Sequence, residues 1–252
     1  MISEGVVLVT GAAGRIGRAT TAELQKRGLR VRGLDIVAAP GLTDSVVGSI
    51  TNRDVVRRAM QGVSALVHLA ATPDDDDFYT QLLPNNLVGV YEVIEAAREA
   101  EVPRVVLAST GQVVWWQRMR HDYPIGPDVQ PTPRGWYAAT KCFLEAAGRS
   151  LAEAAGRSVL AVRLGWCPRS SQQAREIDAT DWARDVYLSP GDAGRFLTAC
   201  VLTTAEIRYA VVYACSKPCK NPIYDLTNAR ELLGYEPYDI WPQGVEDMLH
   251  GE

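Results

Sequence analysis

The sequence predicts an α/β protein built on a Rossmann-type, doubly wound parallel sheet with a small C-terminal part. Three observations lead to this prediction. Short apolar strands alternate with longer helical patterns, the first strand runs straight into a glycine-rich turn, and an acidic residue ends the second strand. Such alternation is typical of a sheet whose parallel strands are connected by helices.

The alternation also gives the order of the elements. Apolar runs rich in β-branched residues predict strands, and apolar residues three or four positions apart predict helices. Gly28 and Pro103 follow the ends of two predicted helices, since glycine and proline interrupt a helical pattern. The predicted elements are strand 6–9, helix 16–27, strand 30–34, strand 45–48, helix 54–60, strand 65–71, helix 81–100, strand 104–108, helix 136–155, strand 159–164, a polar loop 168–180, a helix from 191, strand 209–214 and a short C-terminal helical region.

The glycine-rich turn after the first strand has the spacing G-x-x-G-x-x-G. We expect Gly11 to make the tight turn, Gly14 to let the backbone approach a pyrophosphate, and Gly17 to let the next helix pack closely on the strand. A helix N-terminus favours an anion through its unpaired N–H groups and its dipole. The turn therefore predicts a phosphate-binding site at the start of the first helix.

The second strand ends in Asp35. In a dinucleotide-binding fold, an acid here accepts hydrogen bonds from the adenosine ribose hydroxyls and repels a 2′-phosphate, so Asp35 favours NAD over NADP. Arg15 and Arg32 oppose this preference, because a nearby arginine can bind the 2′-phosphate. Taken alone, Asp35 could also be a solvated acid at a strand end. We predict NAD as the cofactor, ahead of NADP.

The fourth strand and the segment after it lie on the ligand side of such a sheet. The strand exit, Leu69-Ala70-Ala71, consists mostly of small residues, which indicates close approach of the backbone to a ligand. His68, inside the apolar run, is predicted to be a hydrogen-bonded core residue and not a catalyst. The acidic run 74–77 is predicted to be a solvated loop.

Composition argues against several classes of partner. A net charge of −4 gives no overall attraction to nucleic acid or to an anionic membrane. The chain shows neither a membrane-spanning apolar run nor a secretory signal, so we expect a cytoplasmic protein. Its five cysteines are predicted to be reduced, buried thiols, and no metal site is expected, since Cys215 and Cys219 lack a second Cys/His pair. The aromatic, basic stretch 115–120 is interpreted as a pocket lid or a subunit contact.

Tyr137 and Lys141 lie four residues apart, on one face of a predicted helix. A free tyrosine, with a pKa of about 10, is a weak base, but an ammonium group and a positively charged nicotinamide favour its phenolate. Lowering that pKa by about three units takes about 4 kcal/mol of differential interaction. Tyr137 could then remove the proton of a substrate hydroxyl held by Thr110, at the end of the fifth strand, while hydride leaves the carbinol carbon.

Each of these patterns alone has an ordinary structural explanation. The Tyr/Lys pair could be an exposed helix pair, and Thr110 could satisfy local backbone groups. Their occurrence together with the glycine turn and Asp35, in the expected order, favours catalysis.

Together these residues resemble the signatures of the extended short-chain dehydrogenase/reductase family, the NAD-dependent epimerase/dehydratase group. The matching patterns are T-G-x-x-G-x-x-G at 10–17, Asn86 after the fourth strand, Y-x-x-x-K from Tyr137, and the C-terminal segment 229–237. Within the family the chain is most similar to the uronate dehydrogenases, on the stretches 9–17, 126–129, 137–145 and 162–167. The resemblance implies a Rossmann fold, NAD, and oxidation of a hexuronic acid at C1 to a lactone.

The resemblance also implies which residues meet the ligands. Lys141 would bind the nicotinamide ribose in addition to lowering the pKa of Tyr137. The predicted catalytic residues are Thr110, Tyr137 and Lys141. The predicted cofactor-binding residues are Gly11, Ala13, Gly14, Arg15, Ile16, Gly17, Asp35, Ser49, Ile50, Leu69, Ala70, Ala71, Asn86, Ala108, Tyr137 and Lys141. The predicted substrate-binding residues are Thr72, Thr110, Gly111, Gln112, Trp166 and Arg175.

Several of these positions depart from the family pattern. Where uronate dehydrogenases end the fifth strand with Ser-Ser-Asn-His, this chain reads Ser109-Thr110-Gly111-Gln112, and Trp166 replaces a serine. Ser49 replaces an adenine-binding aspartate, and Arg15 stands where a glutamine lies near the substrate. Arg175 matches the arginine that pairs with the substrate carboxylate, since a planar, bidentate group suits that task; a solvated loop arginine is the alternative.

The predicted function is oxidation of the C1 hydroxyl of a small free sugar or sugar acid to a lactone, with NAD as hydride acceptor. Residues 1–165 are predicted to form the NAD-binding core with the catalytic helix, and residues 166–252 a small substrate-binding part, interwoven into effectively one compact domain. So short a C-terminal part suits a free sugar better than a nucleotide sugar. The alternatives are an NAD(P)-dependent epimerase, dehydratase or carbonyl reductase, and a non-enzymatic dinucleotide sensor. A homo-oligomer is expected, without nucleic-acid or membrane partners.

Overall fold

A seven-stranded parallel sheet forms the centre of the computed structural model, which describes residues 5–250. Across the sheet the strands run β3-β2-β1-β4-β5-β6-β7, so the winding direction reverses between β1 and β4. Ligands of open α/β sheets bind at such a reversal, beyond the carboxyl ends of the strands. The predicted doubly wound α/β fold is confirmed. In chain order the strands are β1 Val6–Thr10, β2 Arg30–Asp35, β3 Asp44–Val47, β4 Val63–His68, β5 Arg104–Thr110, β6 Ser158–Leu164 and β7 Tyr209–Ala214.

Helices pack on both faces of the sheet. Val7 and Val9 of β1 belong to one buried apolar cluster, and Leu8 belongs to the cluster on the opposite face. Successive residues of a strand point to opposite faces, so a sheet of such apolar strands needs cover on both sides. The helices are α1 Arg15–Lys26, α2 Arg53–Met60, a π-helix Phe78–Val88 continuing into α3 Gly89–Glu99, a 3₁₀ turn Gly111–Val114, α4 Trp115–Met119, α5 Gly135–Ala155, α6 Ser171–Asp178, α7 Asp181–Asp185, α8 Pro190–Leu202, α9 Thr227–Leu233 and α10 Glu246–His250.

At its carboxyl end, strand β5 extends further than the neighbouring strand β4. β4 ends at His68, which pairs with Leu107 of β5. β5 continues to Thr110, which pairs only with Leu164 of β6. The last residues of β5 therefore project into the crevice between the two halves of the sheet, where a ligand can reach them.

The fourth strand and the helix after it differ from the prediction. β4 ends at His68, after which the N–H of Leu69 is shared between the carbonyl and the hydroxyl of Thr10, each at 3.2 Å, and the N–H of Ala70 bonds the same hydroxyl at 3.2 Å. The segment predicted as part of helix 81–100 begins as a π-helix. Pro84 has no N–H to donate, and the amide of Gly89 reaches back five residues to its carbonyl, which is the wider π spacing.

The prediction of a polar loop at 168–180 is wrong. This segment contains α6, whose N-terminus is capped by the hydroxyl of Ser170, which accepts a hydrogen bond from the amide of Gln173 at 3.2 Å. Ala174 and Ile177, three positions apart, bury the only apolar face of this helix. An eight-residue helix with two buried apolar residues among polar neighbours gives too weak a period to be recognised in the sequence.

Within residues 5–250, no helix is both long and apolar enough to cross a membrane. All five cysteines are free. Cys200 and Cys215 are buried as predicted, whereas Cys219 is exposed because it lies in the surface turn after β7.

Candidate active site

The glycine turn between β1 and α1 has the shape that a pyrophosphate requires. Gly11 has a φ of 71°, and a Cβ there would lie 2.8 Å from the amide nitrogen of Ala70. A Cβ on Gly17 would lie 2.0 Å from the carbonyl oxygen of Gly11. Gly14 begins α1 without a side-chain cap, and the first turn of α1 carries no acidic residue. The first N–H groups of α1 therefore have no side-chain acceptor and can bind an anion.

Asp35 connects the end of β2 to this turn. Its Oδ2 accepts a hydrogen bond from the amide of Ala13 at 3.0 Å. The residues that follow, Ile36 and Val37, are exposed apolar side chains that could border an adenine. One carboxylate oxygen can thus fix the turn while the other accepts from ribose hydroxyls, in keeping with the role predicted for Asp35.

Neither of the two arginines that could favour NADP forms a hydrogen bond or an ion pair with Asp35 among the described residues. The guanidinium of Arg32 is held by Asp44 at 3.0 Å and by the carbonyls of Ala59 and Gln61 at 3.0 and 2.7 Å. Arg15 lies near Cys167, beyond the end of β6. Burial raises the pKa of the Cys167 thiol, and the positive charge of Arg15 opposes this rise by less.

Thr110, Tyr137 and Lys141 meet at the carboxyl end of β5. Tyr137 lies in the first turn of α5, and its phenol lies close enough to the Thr110 side chain for Thr110 to affect its pKa. Lys141 lies one turn later, with Nζ 5.7 Å from the centre of the Tyr137 ring. The Lys141 ammonium is buried and donates to the carbonyl oxygen of Ala108 at 2.9 Å. The three predicted catalytic residues therefore form one cluster.

The electrostatics of this cluster differ from the expectation that the Tyr137 pKa is lowered. Burial, followed by the negative charge of Asp74, raises the pKa of Tyr137 above its ordinary value. Arg169 and the nearby Thr110 side chain lower it, but by less. Burial also lowers the pKa of Lys141 to about 8. The protein alone does not produce a phenolate, so a further positive charge near Tyr137 is needed.

The run 74–77 forms a loop in which Asp75, Asp76 and Asp77 are exposed, as predicted, but three of its carboxylates also have specific partners. Asp74 accepts hydrogen bonds from Gln112 at 3.2 Å and Gln173 at 3.5 Å and forms an ion pair with Arg169. Asp75 accepts from the amide of Tyr137 at 2.7 Å and so caps the catalytic helix. Asp77 caps the π-helix, accepting from the amide of Thr80.

A cleft of about 580 Å³ opens from this cluster toward α4, α6 and α7. Trp166 and Trp182 stack at 6.1 Å between ring centres, and Trp115 meets Trp182 edge-on at 5.9 Å. These three indoles, which we call the tryptophan wall, form one side of the cleft. Arg118 lies against the wall, with its guanidinium carbon 3.5 Å from the centre of the Trp182 ring.

Comparison with known proteins decides the family. A sequence model described as the NAD dependent epimerase/dehydratase family matches residues 7–166. The chain belongs to this family. It is an NAD-dependent enzyme of the short-chain dehydrogenase/reductase type, and the predicted resemblance and cofactor are confirmed.

Individual family members match most of the chain. An L-arabinose 1-dehydrogenase (NAD(P)(+)) of Haloferax volcanii is 29% identical over 92% of this chain and 96% of its own length. A uronate dehydrogenase of Agrobacterium fabrum is 30% identical over 73% of this chain and 69% of its own. The solved structure of a glucuronic acid dehydrogenase from Chromohalobacter salexigens superposes with a TM-score of 0.80 at 25% identity, covering 98% of this chain and 90% of that one.

Six of the residues predicted from the family pattern line one cleft. Ile16, Thr110, Gly111, Gln112, Tyr137 and Trp166 line the cleft. Asn86 lies behind it, where its amide bonds the backbone of Thr72 at 2.8 and 3.0 Å and the hydroxyl of Thr140 at 3.2 Å. Ser49 bonds Thr51 at 2.8 Å, and Ile50 is buried against Gly89.

Two of the predicted substrate-binding residues are not brought to the cleft. Thr72 is buried, and its hydroxyl is bonded to Asn85 at 2.8 Å and to the carbonyl of Gln81 at 3.3 Å. Arg175 lies on the exposed face of α6, because Gln173 and Glu176 take the positions that face the cleft. The prediction that Arg175 pairs with a substrate carboxylate rested on an ungapped loop, and the helix turns this side chain away.

Sequence reasoning missed other residues that line the cleft. They are Asp74, Trp115, Arg118, Arg134, Arg169, Gln173, Trp182 and Tyr224. The clustering of Trp and Arg in 115–120 was the one signal available for part of this set. For Asp74 and Arg169, which are 95 positions apart, no local pattern indicates that they meet.

His68 behaves as the core residue that was predicted. Its Nδ1 lies 2.8 Å from the hydroxyl of Thr10, and its Nε2 is buried without a partner among the described residues. Burial, with a smaller effect from Lys141, lowers its pKa to about 3. In the unfolded chain the ordinary pKa of histidine is about 6.5. The unfolded state therefore binds this proton first as the pH falls.

We expect this difference to weaken the fold in acid. Stability should be fully present above pH 6.5 and should fall toward pH 3 with a slope of up to about 1.4 kcal/mol per pH unit from His68. Urea unfolding between pH 7 and pH 4 measures the slope, which His68→Gln should reduce and the control His121→Gln, at an exposed site, should not. Equal slopes for wild type and His68→Gln would contradict the assignment.

Proposed function

We propose that this chain is a dehydrogenase that oxidises the C1 hydroxyl of a small free sugar or sugar acid to a lactone. The observation that carries the proposal is the cluster of Thr110, Tyr137 and Lys141 at the mouth of a cleft walled by tryptophans. Indole faces are the surfaces on which the C–H faces of sugar rings pack. The names of the arabinose and uronate dehydrogenases among its relatives support the same class of substrate.

Each member of the cluster has a chemical task in this proposal. Thr110 and Tyr137 hold the reacting hydroxyl oxygen between them, and the Tyr137 oxygen takes its proton. Lys141, fixed by the carbonyl of Ala108, supplies the positive charge one helical turn away. NAD, when bound, accepts the hydride and brings a second positive charge. Burial keeps water away from these groups and strengthens their interactions.

The proposal is tested by incubating the protein with NAD and a panel of free aldoses and uronic acids while NADH absorbance is followed. We expect turnover of at least one sugar and a lactone as the first product, detected by hydroxamate formation. Absence of NADH with every sugar would overturn the proposal. NAD that remains bound through purification, with interconversion of sugars but no net NADH, would favour an epimerase instead.

Asp35 is proposed to set the preference for NAD. Asp35→Asn keeps an oxygen that can accept from the Ala13 amide but removes the charge that repels a 2′-phosphate. We expect the ratio of kcat/KM for NAD over NADP to fall by about tenfold or more, chiefly through a lower KM for NADP. Initial rates with both cofactors measure it, and Asp247→Asn, at an exposed site on α10, is the control. An unchanged ratio would contradict this role.

The finer assignments of individual residues belong to this proposal as well. The residues that we propose to contact the cofactor between the glycine turn and Lys141 are Gly11, Ala13, Gly14, Arg15, Ile16, Gly17, Leu69, Ala70, Ala71 and Ala108. The homo-oligomeric state and the cytoplasmic location stay predictions from the sequence.

A further inference from the structure

Arg118 is a buried cation on the wall of the cleft. It is 5% exposed, and its guanidinium carbon lies 3.7 Å from the ring centre of Trp115 and 3.5 Å from that of Trp182. The two indoles stand nearly perpendicular, at 83°, so Arg118 sits in the corner between their faces. The guanidinium also lines the cleft from which the catalytic cluster opens.

The surroundings of Arg118 differ from those of the other buried arginine. Arg163, 2% exposed, is bonded to the Glu145 carboxylate at 2.9 and 3.0 Å and to the hydroxyl of Tyr213 at 3.0 Å. The Arg118 side chain has neither a carboxylate partner nor a hydrogen-bond acceptor among residues 5–250. Burial lowers its pKa, and the like charge of Arg134 adds to this effect.

The interactions of Arg118 with the protein therefore offset only part of the free-energy cost of burying its charge. Contacts with two indole faces recover part of the cost of removing the guanidinium from water, but they provide no oxygen to accept its N–H groups. Five N–H donors in a rigid plane match the two oxygens of a carboxylate or the oxygens of a phosphate. An oxyanion of a ligand in the cleft would therefore supply the oxygen acceptors that the protein does not give to the Arg118 N–H groups.

The other charges in the cleft are already engaged or lie apart. Asp74 and Arg169 neutralise each other, and Asp75 caps α5. Arg134 stacks on Trp115 at 4.3 Å, which places a second positive charge beside Arg118. Glu176 of α6 is the remaining acidic residue of the lining. The side of the cleft next to the tryptophan wall is thus the positive side.

We propose that Arg118 binds an oxyanion of the substrate, a carboxylate or a phosphate on the sugar, while the ring packs on the tryptophan wall. This inference rests on the proposed function and names the class of its substrate as anionic sugars. It also assigns to α4 the task that the family resemblance gave to Arg175 on α6.

The test compares Arg118→Met with Arg175→Met. For each variant, kcat/KM with NAD is measured on matched pairs that differ in charge: glucuronate against glucose, galacturonate against galactose, and glucose 6-phosphate against glucose. We expect Arg118→Met to lower kcat/KM for the anionic sugar by about 30- to 100-fold, mainly through KM, and to change the neutral sugar by less than about threefold. Arg175→Met should leave both unchanged. The uronates and the phosphate separate the two kinds of oxyanion.

Arg118→Lys keeps the charge but loses the planar fork, so it should retain part of the preference for the anionic sugar. Thermal unfolding of each variant checks folding, and binding of the unreactive anion gluconate, measured by calorimetry with NADH present, gives a readout that needs no turnover. We expect gluconate affinity to fall with Arg118→Met and not with Arg175→Met.

Several outcomes would overturn the inference. One is an equal loss on neutral and anionic sugars, and another is a loss on anionic sugars caused by Arg175→Met alone. If the wild type oxidises only neutral sugars and does not bind gluconate, the inference fails while the proposed function stands. If no sugar yields NADH but gluconate binding still depends on Arg118, the proposed function fails and the oxyanion site stands.

Discussion

Replacing Tyr137 with phenylalanine is expected to lower kcat for NADH formation by about 1,000-fold. The variant keeps the ring and loses only the phenol oxygen, which lies near Thr110 and is proposed to take the proton. The surrounding geometry should survive, because Asp75 caps α5 through the backbone amide of residue 137 and Lys141 is held by Ala108. Affinity for NAD, measured by fluorescence titration, should therefore stay within about threefold of wild type.

The matched control is Tyr79→Phe, which removes a phenol that is 78% exposed on the nearby π-helix. It should leave kcat unchanged. A Tyr137→Phe enzyme with more than about a tenth of wild-type kcat would show that another group accepts the proton. Equal losses of kcat and of NAD affinity would point to a damaged cofactor site instead.

The pH dependence of this reaction should reflect the pKa of Tyr137, which depends on the burial of its phenol. The pKa of Tyr137 is raised in the protein alone, first by burial and then by Asp74, so its protonated form dominates at neutral pH. An acidic residue close to the base was not expected from the sequence. Asp74 is partly neutralised by Arg169, and this pair therefore influences the base even though it lies on the other side of the cleft mouth.

The sequence was sufficient for the sheet and for the cofactor side of the site. Apolar strands, the glycine turn and Asp35 are local patterns, and each element they predicted lies within a few positions of the observed one. Tyr137 and Lys141 could be paired because they share one helix face, and Thr110 because parallel strands end at the same edge of the sheet.

The substrate side could not be predicted because its contacts are between distant segments. Arg118 meets Trp182 across 64 positions only because α4 and α7 fold over the same end of the sheet. Arg175 was misplaced for a related reason. The position of Arg175 in the sequence matches the family pattern. Which side of α6 faces the cleft, however, depends on the burial of Ala174 and Ile177. A position in an alignment does not give the direction of a side chain.

Behind the catalytic residues, one buried ion pair joins the parts of the fold that position them. Glu145 of α5 accepts hydrogen bonds from Ser109 of β5 at 2.6 Å and from Arg163 of β6 at 2.9 and 3.0 Å. Arg163 also donates to the carbonyl of Pro127 at 3.1 Å and to Tyr213 of β7 at 3.0 Å. The pair thus links α5, which carries Tyr137, to the strand end that carries Thr110.

Arg163→Met is expected to lower the free energy of unfolding by about 3 to 5 kcal/mol, because it leaves the Glu145 carboxylate buried without its cation. Urea unfolding at pH 7 measures this loss. The control is Arg57→Met, which breaks a similar two-bond pair with Glu99 whose side chains are 49% and 40% exposed, and which should leave the free energy of unfolding nearly unchanged.

The double variant Arg163→Met with Glu145→Met separates the stability effect of the ion pair from that of the packing and hydrogen bonds around it. If the loss comes from an uncompensated charge, removing both partners should restore much of the stability, since apolar residues of similar volume often replace a buried pair at little cost. A double variant as unstable as the sum of the singles would show instead that packing or the bonds to Ser109 and Tyr213 dominate. Even where stability is restored, kcat should stay below wild type, because Ser109 has lost the acceptor that fixes the residue next to Thr110.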